Sequence, residues 1–174
     1  MRGTDQVVKT GDLTVQKGDR HMYDEKLLEE LKNLEAEIQF PSFDFDNAYA
    51  LGTALREAGK KAPKPISVRI VLDGMIVYQS FLPGTNESNY NWMDKKQRTV
   101  EKCHTCSLRA AVERELYGVK EDWQNDETNY AFCGGGFPIF VDGEFKGAAI
   151  ISGLPHLEDH RLLTQTVKEY WKAV

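Results

Sequence analysis

Ile66-Ser67-Val68-Arg69-Ile70-Val71-Leu72-Asp73-Gly74-Met75-Ile76-Val77-Tyr78-Gln79-Ser80-Phe81-Leu82 is the stretch on which the fold turns. Ile66, Val68, Ile70 and Leu72 alternate with other residues, the period-2 pattern of a strand with one face inward. Asp73-Gly74 then supplies the two positive-φ residues of a tight hairpin turn, and 75–82 returns antiparallel. The device recurs downstream, where residues 137–141 and 144–152 flank Asp142-Gly143. Around the hairpins the period is helical. Leu27, Leu28, Leu31, Leu34 and Ile38 mark a first helix, broken by Phe40-Pro41-Ser42-Phe43. A second helix begins at Asp44 or Asp46, either of which can cap it, and runs through Ala48, Leu51 and Leu55 to Lys60, before Pro63 and Pro65. One long helix is expected over 89–117, a short strand over 130–133, and a closing helix carrying Leu162, Leu163, Val167 and Trp171. The order predicts an α+β fold: an antiparallel sheet built from two hairpins, with helices covering one face. Strands alternating with crossover helices, as a doubly wound nucleotide fold needs, are absent from this pattern.

The chain has 174 residues, 27 acidic against 22 basic, for a net charge of -5. That balance argues against a nucleic-acid partner, which calls for a basic face. No apolar run approaches the ~20 residues of a membrane-spanning helix. Three cysteines are too few and too odd for a disulfide scaffold, which points to the reducing cytoplasm. Residues 1–21 read as an added leader or an N-terminal arm. His21-Met22 is the dipeptide a common cloning site leaves before a native start, and the helical period begins at once after it. Residues 22–174 are expected to form a single domain.

Three clusters can carry chemistry. Cys103-His104-Thr105-Cys106, expected inside the long helix, is readable as buried structural thiols, as a redox pair, or as part of a metal site with Cys133 or a histidine. Cys133-Gly134-Gly135-Gly136-Phe137-Pro138 permits close backbone approach, either of a ligand or of another chain segment. Ser152-Gly153-Leu154-Pro155 leads into a helix whose N-terminus can face a small anion, with Asp159 and His160 in its first turns and His156 in the link as a weaker candidate. Trp92 beside Lys95, Lys96 and Arg98 forms a basic patch, which in a pocket would bind a carboxylate or propionate.

In this order, the motifs resemble the GlcG-like and HbpS-like haem-degrading-domain proteins, and most closely the short stand-alone branch of that family. The carriers are Phe40-Pro41-Ser42-Phe43, Leu82-Pro83-Gly84-Thr85, Trp92 with Lys95-Lys96, His104, Gly134-Gly135-Gly136-Phe137-Pro138-Ile139, Ile151-Ser152-Gly153-Leu154-Pro155 and Asp159-His160. The resemblance implies an α+β fold, assembly into homo-oligomers, and haem as a cofactor. In that branch a Gly-His-Ser-Ser run is expected where Cys103-His104-Thr105-Cys106 stands, and a histidine where Cys133 stands. The exchange at Cys133 replaces an imidazole by a thiol, another ligand for soft metals or haem iron.

Three function classes follow: a haem-binding or haem-degrading protein, a small-molecule-binding or metabolic protein, and a non-enzymatic oligomeric adaptor. The ligand-binding residues expected are Trp92, Lys95, His104, Cys133, Gly134, Gly135, Ser152 and His160. His104, Cys133 and His160 are expected to converge on one pocket as metal or haem ligands. Aromatic residues of the stretch 23–38 and Tyr170 and Trp171 of the closing helix are expected to bury against a second subunit.

Overall fold

The computed structural model describes residues 22–174, so the expectations for residues 1–21 lie outside the described residues. Helix α1, Glu25–Glu37, is opened by Asp24, whose carboxylate accepts the Leu27 N–H at 2.8 Å. Its stripe of Leu28 and Leu31 is buried. Helix α2, Phe45–Gly59, starts at Asp44 with a reciprocal pair of cap bonds to Asn47 and buries Ala48, Leu51 and Leu55. Strands β1 (Ser67–Leu72) and β2 (Met75–Phe81) form the first hairpin, and β3 (Gly136–Val141) and β4 (Glu144–Ser152) the second. Asp73 and Gly74, like Asp142 and Gly143, all take positive φ, as the tight primed turn requires. Helix α5, His156–Ala173, closes the chain.

The two hairpins join through β1 and β4, giving one antiparallel sheet in the order β2-β1-β4-β3. Here the expectation of a single covered face is corrected. All six residues of β1 are buried, because α2 and α5 pack on one side and a third helix on the other. Val68, Ile70, Ile139, Ala149 and Ile151 join the larger core with Leu51, Leu55 and Leu163. Val71, Ala148 and Ile150 form a smaller core with Met93 and Val100. At ~1.5–3 kcal/mol for each fully buried aliphatic side chain, both layers hold the sheet.

The expected long helix is two helices. Helix α3 spans Glu87–Cys103 and helix α4 spans Ser107–Tyr117, with His104 between them at φ 55° and ψ 30°. A single left-handed residue ends α3, and Cys106 restarts the chain as the cap of α4, its sulfur accepting the Arg109 N–H at 3.4 Å. Periodicity did not reveal the break, since neither glycine nor proline marks it. Residues 130–133, expected as a strand, are irregular. They are pinned instead by Thr99, whose hydroxyl donates to the Ala131 carbonyl at 2.9 Å and accepts the Ala131 N–H at 3.0 Å. The aromatic residues expected at a subunit contact are spent inside the chain. Tyr23 is buried, Trp171 donates Nε1–H to the Gln39 carbonyl at 2.8 Å, and Tyr170 packs on Phe40.

Candidate functional site

The site is assembled where the C-terminal end of β4, the glycine approach to β3 and the start of α5 meet the first half of α3. Its floor is an ion pair. Lys96 falls on the buried side of α3 with Met93, Thr99 and Val100 and is 2% exposed. Its ammonium donates to the Ile151 carbonyl and to Asp159 Oδ2, both at 2.9 Å. Asp159, 1% exposed, uses its other oxygen to accept the Leu154 N–H at 3.0 Å. The carboxylate therefore locks the strand-to-helix link as well as neutralising the lysine. Burial pushes the Asp159 carboxyl upward against the lowering pull of Lys96. We assign the pair as ionised, because each charged group has hydrogen bonds from or to the other and to backbone.

Gly135 sits directly over this pair at φ 117°, a left-handed conformation in which any side chain would meet Lys96 Nζ and the Ile151 carbonyl. Gly134 lies against the first turn of α5, touching the His156 carbonyl and His160, and its N–H donates to His156 Nδ1 at 3.2 Å. The neutral His156 ring therefore carries its proton on Nε2. Burial, then Lys96, depress the His156 pKa, which keeps the ring neutral at pH 7.

A cleft of about 270 Å³ opens above the pair. Trp92, Cys133, Ser152, Leu154 and His156 wall it, with Lys96 and Asp159 beneath. Burial raises the Cys133 pKa, so its sulfur is a thiol at neutral pH. Neither that thiol nor the Ser152 hydroxyl makes a hydrogen bond among the described residues, whereas the Ser152 carbonyl is taken by Asn89 at 3.0 Å.

The structure thus brings Trp92, Cys133, Gly134, Gly135 and Ser152 to one place, and keeps His104 and Lys95 out of the cleft. His104 is exposed and stacked on Phe145, with ring centroids 4.0 Å apart. It lies eight residues beyond Lys96 along α3, about 12 Å at 1.5 Å per residue. Phe145 is seven residues from Ser152 along β4, roughly 23 Å at 3.3 Å per residue. Lys95 points to the other side of Trp92, 5.1 Å from its ring centroid, and donates to the Glu127 carbonyl at 2.9 Å. His160 lies behind Gly134, with Nδ1 buried and unpartnered, and burial lowers its pKa to about 4. Among the described residues no three His, Cys, Asp or Glu side chains are grouped as a metal site requires. Lys96, Asp159 and His156 also line the cleft, beyond the ligand-binding residues expected from sequence. The available signal was a lysine on the apolar stripe of α3, where a buried cation demands a buried anion.

The sequence comparisons bear on the same elements. A family model described as haem degrading protein HbpS-like matches residues 43–168, from the loop before α2 to the last turns of α5, and so contains every wall of the cleft. This chain belongs to the HbpS-like family. A UPF0303 protein of Streptomyces avermitilis is 33% identical over 144 residues, covering 81% of this chain and 88% of the relative. Among solved structures, Ybr137w protein superposes with a TM-score of 0.75 at 26% identity, over 84% of this chain and 88% of that one. A PduOC:heme complex superposes at 0.65 and 20% identity, over 74% and 94%, a likeness of fold alone. Among the described residues of this HbpS-like chain, no helix is long and apolar enough to cross a membrane.

As it stands, the cleft is small for haem. Its 270 Å³ lies below the roughly 300–1,000 Å³ that pockets for drug-sized ligands occupy, and a porphyrin is larger than most of those. Cys133 is a protonated thiol without a bound metal, and Lys96, the cation in the cleft wall, is already paired with Asp159.

Proposed function

We propose that this HbpS-like protein binds a small molecule bearing a carboxylate or carbonyl group in the cleft between α3, the glycine loop and the start of α5. One observation carries the reading: every free polar group on the cleft wall can donate a hydrogen bond, and only the Ser152 hydroxyl and, weakly, the Cys133 sulfur can also accept one. Ser152 offers O–H, His156 offers Nε2–H, Cys133 offers S–H, and the Lys96 ammonium has one N–H beyond the two it spends. Both Asp159 oxygens, the only carboxylate acceptors in the wall, are occupied. A ligand matched to that surface brings acceptors, and Trp92 and Leu154 receive its apolar side. The family description and the PduOC:heme complex keep haem as the second reading, with Cys133 and His156 as the groups to test for ligation.

Titration calorimetry with small carboxylates and carbonyl compounds, against amines of matched size, tests both readings beside a haemin titration. The acceptor compounds should bind, and Ser152→Ala or His156→Phe should each weaken binding about tenfold, the worth of roughly 1.4 kcal/mol. A stoichiometric Soret band lost on Cys133→Ser, with no carboxylate or carbonyl binding, would replace this reading by the haem one.

A further inference from the structure

We infer that the cleft is one half of a longer site, and that its ligand is a flat aromatic diacid reaching past Trp92 and Cys133 into a second cavity that ends at Arg114. The inference rests on the acceptor-binding cleft proposed above and adds the far end of the molecule it holds. Beside the cleft of about 270 Å³ lies a cavity of about 240 Å³. Trp92 and Cys133 line both, so the two cavities stand back to back against the same two side chains. Each alone is smaller than the roughly 300–1,000 Å³ of ordinary small-molecule sites, and the two together fall inside that range.

The second cavity is built by the end of α4 and the irregular segment before β3. Arg114, Glu127, Tyr130 and Phe132 wall it. The Arg114 guanidinium lies over the Phe132 ring, 3.8 Å from its centroid, while Trp123 stacks on Phe132 and packs on Tyr130. Arg114 spends Nη1 on the Gln124 carbonyl at 3.0 Å and on the Glu127 carboxylate at 2.9 Å. Its Nε and Nη2 make no bond among the described residues, and neither does the Tyr130 hydroxyl. Glu127, the one carboxylate in this wall, is thereby neutralised. Lys95, donating to the Glu127 carbonyl at 2.9 Å, adds a further cation beside it. A guanidinium edge with Nε–H and Nη2–H both unspent has the fork geometry that holds a carboxylate.

What separates the two cavities is lightly held. Trp92 is 44% exposed, and its indole makes no hydrogen bond and stacks on no other ring among the described residues. Its one ring contact is the Lys95 ammonium, 5.1 Å from the centroid. The Cys133 thiol is likewise without a hydrogen bond. An indole and a sulfur suit a flat apolar body lying along them. The polar groups stand at the two ends. On one side are Lys96, His156 and the Ser152 hydroxyl, which is unpartnered although Ser152 is only 5% exposed; on the other is Arg114. A ligand matched to both ends carries a carboxylate at each and an aromatic middle.

The test is titration calorimetry on the full chain with terephthalate, naphthalene dicarboxylate and biphenyl dicarboxylate, each beside its monocarboxylate. The diacid whose length spans both cavities should bind about tenfold tighter than its monoacid, or better. Arg114→Gln should bring that diacid to the affinity of its monoacid. Cys133→Phe, which fills the passage between the cavities, should erase the same ratio, and circular dichroism checks that both variants keep the wild-type fold. Monoacid binding with no diacid advantage overturns this inference and leaves the proposed function standing. Binding of neither acid removes the acceptor cleft itself, and this inference with it. An advantage that survives Arg114→Gln puts the second carboxylate elsewhere and overturns the assignment.

Discussion

At the scale of single residues, the buried Lys96–Asp159 pair carries a large desolvation cost, since two charges leave water to meet at 2.9 Å. Breaking such a pair from one side strands a charge and typically costs about 3–5 kcal/mol. Lys96→Met and Asp159→Leu should each destabilise by that order in urea unfolding, and the double variant should lose far less than the sum. His160 makes a separate prediction, in pH. Its folded pKa, near 4, lies below the ordinary 6.5 because burial disfavours the imidazolium. Below pH 6.5 the unfolded chain therefore binds a proton the folded chain refuses, so this contribution is fully present above 6.5 and is lost as pH falls toward 4. Replacing His160 by Leu should flatten that acid limb by on the order of 2 kcal/mol, read as the difference in stability between pH 7 and pH 4.5. The weaker depression at His156 leaves a residual slope in the variant.

At the scale of elements, the break between α3 and α4 organises the region around the thiols of Cys103 and Cys106. Cys103 closes one helix, its sulfur 2.9 Å from the Thr99 carbonyl, and Cys106 opens the next, so the two do not share one helix face. Glu35, reaching from α1, accepts the Cys106 N–H at 2.7 Å and the Arg109 guanidinium at 2.6 Å, and so holds the first turn of α4. Removing it in Glu35→Ala leaves a buried N–H and a half-buried guanidinium short of partners. The expected cost is about 3 kcal/mol in melting or urea experiments. Gly147 makes another test of packing between strands, because a methyl there would strike the Val71 carbonyl across the β1–β4 pair. Gly147→Ala should disrupt that junction, seen as loss of cooperative unfolding.

At the scale of the whole molecule, the layers between Tyr23 and Trp171 supply their own core on both sides of the sheet. Removing residues 1–21 is therefore expected to leave the melting temperature within about 2 °C, since no residue of the described core is lost. A larger drop would show that this segment contributes structure of its own. The aromatic residues expected at a subunit contact belong to the same scale. Tyr170 and Trp171 looked like spare aromatics on a surface helix, but each meets Phe40 or Gln39 in the segment that caps the β3 edge. Among the described residues the exposed aromatics are on α2, β2, α3 and α4 instead, and a one-dimensional pattern cannot separate a side chain turned to the core from one turned outward.

By itself the sequence determined both hairpins, the start of the second helix to within two candidate caps, the α+β order and the family. Asp-Gly turns, capping residues and apolar periods act between neighbours a few positions apart, so they are legible in one dimension. The tertiary structure alone decided which member of each adjacent pair faces inward. It buried Lys96 and turned Lys95 out, made His156 a cleft wall and set His160 behind a glycine, and it moved His104 to the far end of the strands from Cys133. Those choices depend on the rotation of α3 and α5 against a sheet covered on both faces. That rotation is fixed by contacts some 30–60 residues apart, such as Lys96 with Asp159 and Thr99 with Ala131, which local pattern does not encode.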